Sequence, residues 1–135
     1  MPSRVIVLFL CLISSQLLAH SSKRSQRANV DPDYTTALAA ANRFLNAWQT
    51  QDHETGIIML TDSARQHVSP DQLQEFFSPE ANAAFEIEHG KKLNAHAYVF
   101  PAVLFGLSGT HQRAHGCTIV IAHTGKNEWS VDKLP

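Results

Sequence analysis

The chain has little of three things that often define a small domain: cysteine, long apolar runs and an excess of one charge. It has 135 residues but only two cysteines, so it is not a disulfide-rich scaffold. Eleven Lys and Arg residues against twelve Asp and Glu residues leave a net charge of −1. Apart from a short basic cluster at residues 23–27, no stripe of Lys and Arg marks a nucleic-acid-binding face. We therefore expect no nucleic-acid partner.

The longest unbroken apolar run lies near the N-terminus, where Arg4 is followed by VIVLFLCL at residues 5–12. A basic start, a short apolar core and small residues behind it predict a secretory signal peptide over residues 1–21, cleaved after Ala19 or Ser21. The run is shorter than the roughly 20 residues that span a bilayer, so no stable membrane anchor is expected once the signal is removed. The alternative is an uncleaved signal that anchors the protein, which the basic residues behind the run would favour.

Export also decides how the cysteines are interpreted. Cys11 would leave with the signal, and Cys117 would then have no internal partner, so it is either a buried thiol or an intermolecular one. The apolar residues that follow Cys117 favour burial. The chain has no Asn-x-Ser/Thr sequon, which favours a bacterial envelope over a eukaryotic secretory route. We expect the protein to be periplasmic or secreted.

Behind a polar lead-in at residues 22–30, the pattern changes to helical periodicity. Asp31 is suited to cap a helix that has Pro32 at its first position. Apolar residues then recur every three or four positions: Tyr34, Ala37, Leu38, Ala41, Phe44, Leu45 and Trp48. Gly56 precedes the apolar residues 57–60, which are predicted to form a short second helix or a single turn of one, and a third helix begins with Ser69 as its cap.

The second half of the chain predicts antiparallel strands. Residues 84–89 alternate apolar and polar, and residues 94–105 are rich in β-forming types. Pro101 should place this second strand at a sheet edge or at a bulge, because proline cannot donate to the hydrogen-bond ladder. Residues 116–123 give the clearest strand signal in the chain.

A tight hairpin is predicted to close the sheet. Gly125 and Lys126 suit a two-residue turn, in a register that would pair Ala122 with Trp129. Three helices followed by an antiparallel meander predict an α+β domain over residues 31–135, with the N-terminal helices packed on a curved sheet.

Several pieces of this sequence together resemble a known superfamily. They are the helix motif Ala41-x-x-Phe44-Leu45-x-Ala47-Trp48, the pair Gln51-Asp52, Gly56, the run IIML at residues 57–60, and Trp129-Ser130-Val131. The chain resembles the nuclear transport factor 2-like superfamily, the cone-shaped, cystatin-like α+β roll shared with ketosteroid isomerase-like and polyketide cyclase-like proteins. The resemblance covers about residues 33–134. Because that superfamily includes isomerases, hydratases, cyclases, hydrolases and domains with no known reaction, it implies a fold rather than a role.

The resemblance also implies where an isomerase would keep its catalytic groups. Isomerases of this fold have a hydrogen-bond-donating tyrosine on the first helix, and the matching residue here is Phe44, which has no hydroxyl. Their carboxylate base follows the second helix, where residues 65–69 contain no carboxylate and His67 is the only candidate base. Enolisation needs both a base and an oxyanion donor. The chain is therefore interpreted as a divergent member without the isomerase catalytic residues.

Candidate site residues remain on the predicted sheet. His96 shares the strand parity of Tyr98 and Phe100, so it would lie nearest to any apolar pocket and is, with His67, a candidate base. The candidate ligand-binding residues are Tyr98, Phe100, Trp129 and Phe44. The alternative for these four aromatic residues is ordinary core packing.

Eight histidines invite a metal hypothesis, because His111, His115 and Cys117 share one strand parity and His96 could join them from the neighbouring strand. Their spacing matches no recognised metal motif, so we expect neither a metal nor a cofactor.

These observations predict a small exported domain that is non-catalytic and binds a small apolar ligand or a protein partner. The alternative is a pocket enzyme of the isomerase, dehydratase or cyclase type, with His67 or His96 as its base. Because members of the superfamily often pair through the sheet face, the resemblance also implies a homodimer.

Overall fold

The computed structural model describes residues 30–109, 111, 113–125 and 127–135. The predicted signal peptide and the lead-in up to residue 29 lie outside these described residues. Four helices come first: α1 (Pro32–Gln49), α2 (His53–Ile58), α3 (Asp62–Gln66) and α4 (Pro70–Phe76). Five strands follow: β1 (Ala84–Ile87), β2 (Lys91–Asn94), β3 (Ala97–Phe105), β4 (Ala114–Gly125) and β5 (Glu128–Lys133). None of the helices in the described part is long and apolar enough to cross a membrane.

Side-chain caps set the starts of the helices, as the sequence predicted for α1 and α4. Asp31 accepts the amide hydrogen of Asp33 at 3.1 Å, with proline at the first helical position. Ser69 and Gln72 form a reciprocal capping box at the start of α4. Each cap supplies a partner for an amide that has no acceptor within its own helix.

The prediction of three helices is wrong by one, because α3 was not predicted. Its cap is Thr61, whose hydroxyl oxygen accepts the amide hydrogen of Ala64 at 3.0 Å and donates to Asp132 Oδ1 at 2.9 Å. A helix of five residues is too short to show an apolar period. The adjacent pair of Thr61 and Asp62 is the only local sign of its start.

The strands form one antiparallel sheet organised around β3. The order is β1-β3-β4-β5, and β2 also pairs with β3, beside β1. The backbone of Val131 in β5 exchanges hydrogen bonds with Met59 and Thr61 at 2.8 and 2.9 Å, which fixes the segment between α2 and α3 against the sheet. The predicted α+β class, helices followed by a curved antiparallel sheet, is confirmed.

The prediction that Pro101 marks a sheet edge or a bulge is wrong, because β3 is a central strand and Pro101 pairs in regular register with Thr118. The carbonyl of Pro101 accepts the amide hydrogen of Glu88 at 2.9 Å. The ring nitrogen of Pro101 faces the same side, where β1 has ended at Ile87 and β2 begins only at Lys91. Pro101 has no backbone N–H to donate, and this lack falls at the place where the neighbouring strand is interrupted.

The predicted register of the last hairpin is also wrong. Trp129 pairs with His123 rather than with Ala122. A register shift between His123 and Gly125 displaces the pairing, and Asn127 adopts a φ of 63° in the turn. Asparagine tolerates this left-handed conformation, so the turn does not need a glycine at its first central position.

The core lies between α1 and one face of the sheet. The buried side chains of α1 are Ala37, Ala41, Phe44, Leu45, Ala47 and Trp48. Alternate residues of β3 and β4 face them: Tyr98, Phe100, Ala102, Leu104, Ile119 and Ile121. Among the described residues, no charged side chain and no polar one outside the aromatic set is fully buried.

Replacing Gly56 by alanine should destabilise the fold, although alanine favours helices by about 1 kcal/mol. A Cβ at this position would lie 2.1 Å from Cζ of Phe77, whose ring is fully buried. Overpacking of this kind costs about 1–3 kcal/mol, so we expect Gly56→Ala to lower the free energy of unfolding in urea. Gly116→Ala is the control, because nothing lies within 4 Å of its added Cβ. An equal effect of both changes would contradict this account.

Candidate functional site

The four aromatic residues predicted to bind a ligand lie close together, but three of them are enclosed in the core. Phe44 and Phe100 are fully buried and Tyr98 is 2% exposed. Trp129 is half-buried, with its ring centroid 5.6 Å from that of Tyr98, and it lines an open cleft of about 500 Å³ against α1 and α2. The packing of the other three is what the core alternative describes, and their part in ligand binding stays a prediction.

The hydroxyl of Tyr98 leaves the core and joins a polar cluster at the start of α1. It donates to Asp31 Oδ2 at 2.5 Å, and Lys92 Nζ lies 3.8 Å from the same oxygen. The hydrogen bond from Tyr98 holds the pKa of Asp31 below its usual 3.8. The same bond, with the loss of solvent around the ring, raises the pKa of Tyr98 to about 12. The polar end of Tyr98 is therefore already paired within the protein.

His67 is the candidate base that reaches a cleft. It is the C-cap residue of α3, and its Nδ1 lies 2.7 Å from the carbonyl oxygen of Ser63. Because a carbonyl only accepts, this contact assigns the hydrogen to Nδ1 and leaves the lone pair of the neutral ring on Nε2. The side chain of His67 is exposed and lines a cleft of about 320 Å³.

This cleft, which we call the α4 cleft, lies between the α3–α4 turn, α4, the β3–β4 turn and the C-terminus. Its apolar lining consists of Val68, Phe76, Leu107, Leu134 and Pro135. Its polar lining consists of His67, Gln72, Glu75 and Ser108. Apolar walls with a few polar groups, in a volume near the lower end of the usual 300–1,000 Å³ or so, are typical of small-molecule sites.

Local hydrogen bonds hold the β3–β4 turn against the end of α4 and so form one wall of the α4 cleft. The hydroxyl of Ser108 donates to the carbonyl of Ser78, and the amide of Glu80 donates to the carbonyl of Gly106 at 2.8 Å. Gly106 and Gly109 have φ values of 79° and 75°, which glycine adopts without strain. The chain reverses direction between β3 and β4 at these two glycines.

His96, the other candidate base, lies in the turn between β2 and β3. Its side chain is exposed, its amide donates to Asn94 Oδ1 at 2.8 Å, and its carbonyl accepts from the amide of His123 at 2.8 Å. It is not among the residues that line the α4 cleft beside His67. Phe44, at the position of the isomerase tyrosine, is buried and has no hydroxyl. Of the two candidate histidines, only His67 therefore lines the α4 cleft.

Cys117 is a half-buried thiol that packs against the core. Its Sγ lies 3.6 Å from the carbonyl oxygen of Ala102, and burial raises its pKa to about 11. It stays protonated near neutral pH, which makes it a poor nucleophile. Cys117 pairs with Ala102, whereas His96 lies beside His123, which is several residues further along β4. His96 and Cys117 are therefore not neighbours. Among the described residues, no group of three or more His, Cys, Asp or Glu is placed to hold a metal ion.

Comparison with known proteins identifies the architecture. The structure is similar to that of a ketosteroid isomerase-like protein from Erwinia carotovora atroseptica SCRI1043, with a TM-score of 0.54 over 76% of this chain and 93% of that chain. The fold is the nuclear transport factor 2-like cone. The two sequences are 16% identical, so the likeness concerns the fold alone. No family model matches the sequence, and no curated protein matches it either.

Sequence reasoning found one residue of the α4 cleft, His67, and missed the rest of its lining. Phe76, Leu107 and Leu134 come from α4, the β3–β4 turn and the C-terminus, and no local pattern links these segments. The paired apolar residues Phe76 and Phe77 at the end of α4 were the available signal. Phe76 ends the seven-residue helix and Phe77 is its C-cap, and two adjacent side chains at a helix end point in different directions, so only Phe77 is fully buried.

The bond between Tyr98 and Asp31 should make stability depend on pH at both ends of the scale. The lowered pKa of Asp31 stabilises the fold above its unfolded value of 3.8, and this is lost as pH falls through the folded pKa. The raised pKa of Tyr98 stabilises the fold below 10.0, and this is lost as pH rises towards about 12. The difference in unfolding free energy between wild type and Tyr98→Phe, measured in urea, should therefore shrink at both extremes.

Asp31→Asn is the matched variant for the acid limb. Asparagine still caps a helix and still accepts a hydrogen bond, but it does not ionise. In this background the effect of Tyr98→Phe should no longer change on acidification. A change that persists in the Asp31→Asn background would assign the acid limb to another carboxylate.

Proposed function

We propose that the protein is a non-catalytic binding domain that holds a small amphipathic ligand in the α4 cleft. The observation that carries this proposal is the composition of the cleft, where four polar side chains stand around a wall formed mainly by Val68, Phe76, Leu107 and Leu134. Such a site buries the apolar body of a ligand and orients its polar end. The predicted signal peptide would place this binding in the periplasm or outside the cell.

The polar end of the ligand follows from the groups that line the cleft. His67 presents the lone pair of Nε2, and the carboxylate of Glu75 accepts hydrogen bonds. Both groups suit a ligand with a hydroxyl or an amine at its solvent-facing end. The wall of Phe76, Leu107 and Leu134 suits an apolar body.

A pocket enzyme with His67 as its base is the second candidate. The contact between Nδ1 and the Ser63 carbonyl favours it, because an oriented imidazole with a free Nε2 is suited to accept a proton. Chemistry at a carbonyl also needs a donor for the developing negative charge. The isomerase tyrosine is replaced by the buried Phe44, and in the α4 cleft the Ser108 hydroxyl already donates to the Ser78 carbonyl. The side-chain amide of Gln72 is the donor that this second candidate would need, and the loss of the tyrosine is why binding without catalysis is the first proposal.

Protein recovered from the secreted or periplasmic fraction should carry a stoichiometric adduct in a native mass spectrum, and the adduct should be lost on denaturation. Leu107→Glu should abolish it, because a carboxylate in the apolar wall is costly to desolvate. Ile58→Glu is the control, since Ile58 is 67% exposed and does not line the α4 cleft. The protein mass in the same spectrum also identifies the first residue of the mature chain, which we expect to be His20 or Ser22.

Wild-type protein without any adduct, or an adduct lost equally in Leu107→Glu and Ile58→Glu, would contradict the proposed site. A bound molecule that the protein converts to a product, in a reaction that His67→Gln stops, would favour the second candidate.

We also propose that two copies of the domain pair through the outer face of the sheet, the face turned away from α1. Its side chains on β3 and β4 include Val99, Pro101, Val103, Val120 and Ala122, and two apolar neighbours, Leu93 and Phe105, are 57% and 37% exposed. The solvated face of an antiparallel sheet usually carries polar residues, so we expect another protein surface to cover this apolar face.

Charges at the margins of the outer face favour a second copy as that cover. Glu86 and Lys91 border it on the side of β1 and β2, and Lys133 borders it on the side of β5. A two-fold axis through the face would bring residues of opposite charge from the two copies near one another.

Wild-type protein should have the mass of a dimer at micromolar concentration by sedimentation equilibrium. Val103→Glu should give monomers, because it places a charge in the centre of the outer face, whereas Ile58→Glu should stay dimeric. A monomeric wild type would refute the proposed pairing.

A further inference from the structure

The indole nitrogen of Trp48 has an unmet need for a hydrogen-bond acceptor. Trp48 lies on α1 and is fully buried. Within the part of the chain that the structure describes, its Nε1 is the one buried side-chain nitrogen or oxygen without a hydrogen-bond partner. A buried indole N–H normally has an acceptor, because it has given up its bond to water. The unpaired donor marks a place in the core where an acceptor oxygen would be stabilised.

Phe76 packs against the ring of Trp48 and also lines the α4 cleft. Its ring centroid is 6.2 Å from that of Trp48 and 6.0 Å from that of Phe44, with which it stacks at 17°. The same side chain forms part of the wall of the α4 cleft. Phe76 thus stands between a solvent-accessible cleft and the aromatic interior.

Helix α4 is well placed to let Phe76 move. None of its residues is fully buried, whereas α1 buries six. Within the helix, Leu73 and Phe76 contact the core and both are only partly buried, whereas the C-cap residue Phe77 is fully buried and holds the end of the helix. A short helix with so little buried surface belongs to the less stable part of a fold, where local opening is least costly.

We infer that the ligand of the α4 cleft inserts a flat aromatic ring in the place of Phe76 and accepts a hydrogen bond from Trp48 Nε1 through a neutral oxygen. This inference rests on the proposed ligand-binding function and adds the chemical class of the buried end: an aryl ketone, ester or ether. A carboxylate does not fit there, because the surrounding rings of Phe44 and Phe77 offer no counter-charge. The pocket behind Phe76 is a minor conformation that the ligand makes dominant.

Acetophenone and ethylbenzene provide a matched pair of probes, since they have similar size and only acetophenone has a carbonyl. The chain has two tryptophans, so a ¹H–¹⁵N spectrum contains two indole N–H signals, and Trp129→Phe assigns that of Trp48 without changing the core donor. Acetophenone should move the Trp48 indole proton downfield, and ethylbenzene should not. Acetophenone should also bind about three- to tenfold more tightly, as one net hydrogen bond implies.

Two substitutions on α4 separate displacement of Phe76 from general loosening of the helix. Phe76→Ala should strengthen the binding of acetophenone, because no ring has to be displaced. Leu73→Ala removes the other core contact of α4 without opening the path to Trp48, so it should leave the preference for acetophenone unchanged. In Trp48→Phe the preference for acetophenone over ethylbenzene should disappear.

The outcomes distinguish this inference from the function on which it rests. If acetophenone shifts the amide signals of Leu107 and Ser108 but not the Trp48 indole, the cleft binds ligands and the inference is wrong. Equal binding of the two probes, with the indole signal unmoved, also overturns it. If neither probe shifts any signal of the cleft, in wild type or in Phe76→Ala, both the inference and the proposed α4 site fail.

Discussion

The packing of α1 on the inner face of β3 is the interaction on which the rest of the structure depends. Phe44 and Trp48 from the helix, and Tyr98 and Phe100 from the strand, are all buried. Because β3 also pairs with β1, β2 and β4, the strand that receives the helix is the one that holds the sheet together. Aromatic rings fill the inside of the cone, and no charged side chain among the described residues is fully buried there. The α4 cleft lies at the margin of the cone.

The parts of the fold that could be predicted from sequence are those with strong local signals. The apolar period of α1 and the cap at Ser69 depend on residues a few positions apart, and both are confirmed. Two of the misses depend on distant contacts: Thr61 starts α3 while bonded to Asp132 in β5, and Pro101 is tolerated in a central strand because its neighbouring strand is interrupted. The register of the last hairpin is a local exception, because it follows the left-handed conformation of Asn127 in the turn.

The sequence could predict a residue of the candidate site only where its position along the chain was enough to identify it. His67 was identified because the resemblance pointed to the segment after the second helix, whereas Phe76, Leu107 and Leu134 meet it only in the folded chain. Strand parity correctly grouped Tyr98 and Phe100 on one face of the sheet, which the structure turns towards the helices. Parity gives the face of a sheet but not whether that face is covered, so it could not separate a pocket wall from a filled core.

The interruption opposite Pro101 also affects how the sheet meets other chains. It divides one edge into β1 and β2, each of four residues, with the buried Gly90 between them and Lys91 and Lys92 directly after it. Short edge strands and edge lysines are poor templates for a strand from another molecule. The edge is thus protected against the strand-by-strand growth that leads to fibrils, and the same proline that breaks the ladder helps to keep the protein from aggregating.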